Sequence, residues 1–416
     1  MDELSEFGKE LRRRRIAAGI SLSSFARKIF YSKGYLSRVE NGKQRPSTDM
    51  VRRFDWELQT GGALIRLLRT SGETVPAEAG AAQLPGTPSP LHSDYASAAQ
   101  AVDVQILFNE GFEHARRLGH RYSPRIVLSG LLPQIGALSS IAAETRDPEA
   151  ATSLRYLVAR QQEYAGWMFQ EHGDQLAAAN WTAASARTAA VVGDTAFGLW
   201  TLVRRAEIAL YQDDPGAVLG LCARVTTACR DDLVLGAVAA RVAAQGHALE
   251  GDRSACLLAL ERAAEISSRS GSSVGTFGTT SLSDPLSMVT GWALYELGDA
   301  AAAAETLDRE VSKIPATSVR SRARFGIRAA LAHATVGDVD QACAMARSLL
   351  IPVEQTASAT IAGDLRRLCR SLARWSTDPR VSALLPELRA ASRLPGSGCP
   401  EGTHSGIGVD PWAALP

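Results

Sequence analysis

The chain has 416 residues, 45% hydrophobic and 21% charged, with 45 Lys and Arg balanced by 44 Asp and Glu. This length exceeds one ordinary core, and the near-average composition points to roughly two to four folded units rather than a disordered or fibrous chain. No apolar run reaches the roughly 18 residues that a membrane span needs, and the opening MDELSEFGKELRRRR lacks the apolar stretch of a secretory signal, so a soluble, cytoplasmic protein with no membrane partner is expected.

The even charge hides an asymmetry. Residues 1–70 carry 15 Lys and Arg against 8 Asp and Glu, a net +7, whereas the remainder carries 30 against 36, a net −6. A polyanion would bind at the basic end. Within it, SLSSFARKIFYSKGYLSRVENGKQRPS (residues 21–47) reads as two short helices. Ser21 is placed to cap a first helix that turns Phe25, Ala26 and Ile29 inward, and Ser32 to cap a second whose Leu36 and Val39 meet the same core. Small Ala26 suits a helix crossing, Asn41-Gly42 suits a helix end, and Pro46 blocks continuation. Ser47 or Thr48 then starts a helix carrying Met50, Val51, Phe54 and Leu58.

This pattern, and LSRVENGKQRPS above all, resembles the XRE class of lambda- and Cro-type repressors over about residues 5–69. The resemblance implies a five-helix, helix-turn-helix domain that binds double-stranded operator DNA, with the second helix in the major groove. It places Ser32, Lys33, Gly34, Ser37 and Arg38 where bases are read, Lys and Arg favouring guanine. Arg12, Arg15, Arg27, Lys43, Gln44 and Arg45 would meet phosphates, with about half of the run Arg12, Arg13, Arg14 and Arg15 doing so, because consecutive residues point all around a helix. Leu22 replaces the Gln frequent in the family, and Gly34 offers no side chain to a base.

Residues 71–92 are rich in Pro, Gly and Ala and read as a flexible linker. From 93 to 393 apolar residues recur at helical spacing throughout, so the fold class is all-α, and 394–416 reads as a disordered tail. Turns of the form Gly-Asp or Asp-Asp fall at 173/174, 213/214, 251/252, 298/299 and 337/338. Seven residues before each stands Gly166, Ala206, Ala244, Gly291 or Ala330, and a few residues after each stands Ala178, Val218, Cys256, Ala303 or Ala342. Small residues at such offsets let two antiparallel helices pack closely, and the unit repeats five times. Residues 267–285 lengthen the third spacing as a Gly/Ser loop, either a lid or an insertion.

The repeated unit resembles the tetratricopeptide repeat, which implies a helical solenoid whose first helices line a concave groove. It would place Arg160, Glu163, Trp167, Gln170, Trp200, Glu207, Tyr211, Arg241, Gln245, Trp292, Tyr295 and Arg324 there. Such a set can enclose and orient a small molecule or peptide effector, although each aromatic has an equally good reading as interhelix core.

The six cysteines read as reduced, small core residues, with a Cys222–Cys229 redox pair the weaker alternative. Seven histidines are scattered without metal-ligand spacing, and no phosphate loop or nucleophile elbow occurs. No cofactor, no metal and no enzymatic activity are expected. Two readings stay open: an effector-responsive regulator acting as a homodimer, or a DNA-anchored adaptor holding a constitutive protein partner.

Overall fold

The structure, a computed structural model, describes residues 3–28, 33–44, 46, 51, 54, 58, 60, 63–64, 67, 98–229, 232–270, 282 and 284–393. The expected linker, tail and most of the Gly/Ser loop lie outside the described residues, as do Ile29, Ser32, Arg45 and Ser47. The chain separates into two compact units, residues 1–91 and 92–416.

In the first unit α1 (Glu3–Ala17), α2 (Leu22–Lys28) and α3 (Lys33–Glu40) enclose Phe7, Leu11, Phe25, Ala26, Leu36 and Val39, joined by Val51, Phe54 and Leu64 from farther on. The Ser21 hydroxyl accepts from the Ser24 backbone N–H at 3.1 Å, which caps α2. Helix α3 ends as its residues dictate. Gly42 adopts φ +68°, the Lys43 N–H returns to the Arg38 carbonyl at 2.8 Å, and the Asn41 amide donates to the Ser37 carbonyl. Gly8 matters for a reason absent from local propensity: a Cβ there would stand 2.5 Å from the Val39 carbonyl oxygen and 2.6 Å from that of Glu40. Only glycine lets α1 press directly on the backbone of α3.

The second unit is a run of helix pairs. They are α4 (Ala98–Gly119) with α5 (Pro124–Glu144), α6 (Pro148–His172) with α7 (Gln175–Val192), and α8 (Thr195–Leu210) with α9 (Pro215–Ala228). Next come α10 (Leu233–Glu250) with α11 (Arg253–Ser270), α12 (Pro285–Glu296) with α13 (Ala300–Val311), and α14 (Val319–Val336) with α15 (Val339–Thr356). Helices α16 (Ala359–Leu372) and α17 (Pro379–Ala391) close the series. The fold is therefore all-α, a helix-turn-helix unit followed by a solenoid of tetratricopeptide-like pairs.

All five turns expected from the Gly-Asp signature join the two helices of a pair, and their chemistry is uniform. The first residue takes a positive φ, with Asp213 (54°) standing in once for glycine, and the aspartate caps the next helix by accepting an N–H three residues on. The small residues pack as their spacing requires. Ala206, Ala244 and Ala330 are fully buried against the partner helices' Val218, Cys256 and Ala342, and a Cβ on Gly166 would meet the Thr182 hydroxyl at 2.7 Å. The first and last pairs lack this signature, which is why five units were legible and seven pairs are present among the described residues.

Helix α5 departs from the sequence reading. By length and composition it is apolar enough to cross a membrane. In this fold one stripe, Leu128, Leu131, Ile135 and Leu138, is buried in a core shared with α4 and α6. The described cysteines, Cys222, Cys229, Cys256, Cys343 and Cys369, are buried free thiols, and burial pushes that of Cys222 up to about 12, the behaviour of small core residues.

The array also bends back on itself. The Arg320 N–H donates to the His120 carbonyl at 2.9 Å, and its guanidinium reaches the carbonyls of Gly119 and Tyr122 and the Glu171 carboxylate at 2.7 Å. Ser358 and Thr360 donate to the same carboxylate at 2.5 and 3.0 Å. Segments about 200 residues apart in sequence thus meet at one buried clasp.

Candidate functional site

On the first unit, Lys33 and Arg38 are exposed on α3 and Ser37 is half-buried beside them; Arg12 on α1 and Lys43 and Gln44 after α3 are exposed as well. Gly34 and Arg27 lie on α3 and α2. Arg15 is placed differently from the expectation of a phosphate contact. It is 7% exposed, and its guanidinium donates to both Glu40 carboxylate oxygens at 2.6 and 2.9 Å and to the Ile20 carbonyl. The hydrogen bond to Glu40 holds its pKa above the usual value. Arg15 therefore ties α1 to the end of α3 and is buried rather than presented outward. Arg13 and Arg14 both pair with Glu10, whose carboxyl they lower to about 2. The four consecutive arginines thus divide as helix geometry requires, with Arg12 and Arg13 most exposed.

A short capped helix and a second helix that exposes Lys33 and Arg38 are thus seated with α1 on one small apolar core. Residues 6–73 match the family model described as a helix-turn-helix domain. No curated protein matches the chain. Among solved structures, Bacillus thuringiensis PlcR in complex with the peptide PapR7 and DNA is 14% identical, the match covering 73% of this chain and 95% of that one at a TM-score of 0.32. At that TM-score neither the peptide nor the DNA of that complex bears on this chain.

In the second unit a cavity of about 230 Å³ is lined by the first helices of five consecutive pairs, α6, α8, α10, α12 and α14. Ten of the twelve residues expected to face the groove line it: Glu163, Trp167, Gln170, Trp200, Glu207, Tyr211, Arg241, Gln245, Trp292 and Arg324. A larger space of about 680 Å³ adjoins it, sharing Gln170, Tyr211, Gln245, Trp292 and Arg328 and extending to Asp364, Arg366 and Arg367 on α16. The two remaining residues lie outside both. Arg160 sits over the Phe112 ring at 5.5 Å, drawn to the face of α6 that packs on α4. Tyr295 stacks on the back of Trp292 at 5.1 Å, with its hydroxyl on Thr335.

Sequence reasoning missed His120, Glu171, Arg204, Arg320 and Arg328, all of which line the cavity. A signal existed for two of them: Arg320, Arg324 and Arg328 are spaced four apart, so they share one face of α14 with a residue already singled out. The same spacing also marks Arg204, four residues after Trp200, and Glu171, four after Trp167, while His120 depends on the closure of the array.

The polar lining is highly organised. Arg204 pairs with Glu163 at 3.0 Å and with Glu207, and also donates to the Gln170 side-chain oxygen Oε1 at 3.0 Å. Arg328 pairs with Asp364 at 2.8 Å and lies 4.0 Å over the Trp292 ring, with Arg367 on the same ring at 4.9 Å. Burial raises the Glu163 carboxyl above its usual range, Arg204 offsetting this only in part. Burial also works against the Glu171 charge, but Arg320 and Arg324, with the Ser358 and Thr360 hydroxyls, outweigh it and hold that carboxyl low. His120 is pushed down by burial and by Arg116 and Arg320, which favours the neutral ring.

Proposed function

We propose that this regulator reads operator DNA through Lys33, Ser37 and Arg38, with Arg12, Lys43 and Gln44 on phosphates, and that its repeat unit binds a small molecule or peptide in the α6–α14 cavity. The XRE class remains the resemblance that supports the base-reading positions. The observation that carries the effector reading is the cavity itself, walled by five first helices and lined with Trp167, Trp200, Tyr211 and Trp292 among paired charges. A recessed, aromatic-lined space suits a ligand better than the flat surface an adaptor would present to a folded partner.

Regulation requires that the ligand bind two conformations with different affinity, typically by 1 to 3 kcal/mol. The test begins with genome-wide footprinting of the purified chain, wild type beside Lys33→Ala plus Arg38→Ala, at fixed salt. Discrete sites lost in the double variant are expected; weak uniform binding by both would remove the reading of α3. A fragment and peptide screen against the operator then follows, with Val242→Trp filling the cavity. Operator affinity that responds to a compound in the wild type and not in Val242→Trp is the expected result, and an identical response in both would place the effector elsewhere.

We also propose that two copies pair. Helix-turn-helix domains commonly read half-sites as dimers. Val102, Ile106 and Leu107 of α4 and Ile126 of α5 are exposed, and α5 presents Ser129, Gly130, Pro133, Gly136 and Ala137 outward without a charge, a surface suited to close helix packing. Sedimentation of Ile106→Glu plus Leu107→Glu should give monomers where the wild type gives dimers; equal masses would refute this face.

A further inference from the structure

Arg204, Arg241, Arg320, Arg324 and Arg328 all face the cavity, and the carboxylates around it do not match them. Arg204 is satisfied by Glu163 and Glu207, Arg320 by Glu171, and Arg328 by Asp364. Among the described residues no carboxylate forms an ion pair with Arg241 or Arg324; Glu207 and Asp284 act on Arg241, and Glu171, Asp364 and Glu207 on Arg324, only at longer range. Arg324 is the middle rung of the α14 ladder, between two neutralised neighbours. Its Nε has no hydrogen-bond partner, and its guanidinium rests on the Tyr211 ring at 4.9 Å.

Burial depresses the affinity of both guanidinium groups for their protons, and Arg328 adds to this at Arg324. A guanidinium nevertheless stays charged in a protein, so the cost is carried by the fold instead of being relieved by titration. Uncompensated charge of this kind is strongly unfavourable until a counter-charge arrives. The surroundings specify the rest of the partner. The Gln245 amide lies one helical turn from Arg241, while Val238, Val242 and Val289 supply an apolar wall beside Trp200 and Tyr211.

We propose that the cavity takes an organic oxyanion, its carboxylate, phosphate or sulfonate group held by Arg241 and Arg324 and its flat or apolar body laid against Tyr211 and the wall of Val238, Val242 and Val289. This rests on the effector reading of the cavity and adds the chemical class. Guanidinium groups bind such anions through paired, charge-assisted hydrogen bonds, and the excess positive charge excludes cationic ligands.

The test uses the full chain and two fluorescent probes that differ only in the anion: 8-anilinonaphthalene-1-sulfonate and its desulfonated twin, N-phenyl-1-naphthylamine. Energy transfer from the cavity tryptophans reports binding. The sulfonate is expected to bind, and Arg324→Gln or Arg241→Gln to weaken it about tenfold, the worth of one charge-assisted contact, with the neutral twin unaffected. Arg324→Lys, which keeps the charge and loses the fork, should fall between. Equal weakening of both probes, or none, would overturn the oxyanion assignment while leaving the cavity as an apolar ligand site. If neither probe binds, the effector reading of the cavity falls, and this assignment with it. Displacement of the sulfonate by 1-naphthoate and not by inorganic phosphate is expected; equal displacement by phosphate would overturn the organic body and leave an inorganic anion site.

Discussion

Glu171→Ala should open the array at a place far from its own helix. The Glu171 carboxylate is 1% exposed and accepts from Arg320, Ser358 and Thr360, so its removal leaves two hydroxyls and a buried guanidinium without their acceptor. Breaking one partner of a buried pair costs about 3 to 5 kcal/mol. Arg320 retains the Gly119 and Tyr122 carbonyls at 2.7 and 2.5 Å, so the lower end, about 3 kcal/mol, applies, or roughly 6 °C in Tm for a unit of this size. The assay is thermal unfolding by circular dichroism together with hydrogen exchange. Protection should fall at residues 119–122 and 356–360 together, although they are far apart in sequence. Loss confined to the neighbourhood of residue 171 would refute the clasp. The pH dependence has a definite sign. Glu171 is held below its ordinary value, so the stability it contributes is complete above the unfolded carboxyl pKa, about 4.3, and is lost as pH falls through the folded one. Glu171→Gln should therefore flatten the acid limb of the stability curve.

Gly8→Ala should cost the first unit on the order of 3 kcal/mol, since the added methyl meets two backbone carbonyls that cannot turn aside, and one-dimensional proton spectra should show the array still folded; a fully native first unit would contradict the close approach of α1 to α3. Lys43→Ala should weaken DNA binding alike on all sequences and reduce the slope of log K against log salt by roughly 1, and an unchanged slope would remove it from the phosphate contacts. Arg324→Gln should stabilise the unliganded chain by about 1 kcal/mol through loss of an unpaired charge, measured by urea unfolding; destabilisation would mean that Arg324 holds the fold through Tyr211.

Much of this architecture was readable because it rests on local chemistry. A Gly-Asp turn encodes both a left-handed helix end and the cap of the next helix, so five turns could be placed before any packing was known. The groove residues followed from the tetratricopeptide resemblance, which implies that the first helix of each pair lines the concave side. What failed was decided by tertiary neighbours. Arg15 sits in a run of four arginines that look alike in sequence, and only the approach of Glu40 across the α1–α3 contact selects it for burial. Arg160 and Tyr295 have groove-compatible spacing, but the rings of Phe112 and Trp292 hold them elsewhere. The first and last helix pairs escaped detection because their turns carry no Gly-Asp step.

The clasp also changes what kind of solenoid this is. In an open repeat array each pair touches only its neighbours, and stability is a sum of local and nearest-neighbour contributions. Here α6 meets α16, and the stretch after α4 meets the start of α14, through bonds to Arg320 and Glu171. A loop closed over so many residues costs little more entropy than a shorter one, because that cost grows only logarithmically with length. The buried ion pair with its hydroxyl partners thus joins distant parts of the array at little extra entropic cost. The same two residues line that cavity beside Arg324. The charge that fixes the curvature and the charge left unpaired therefore lie on one face of α14, four residues apart, where a bound anion would act on both.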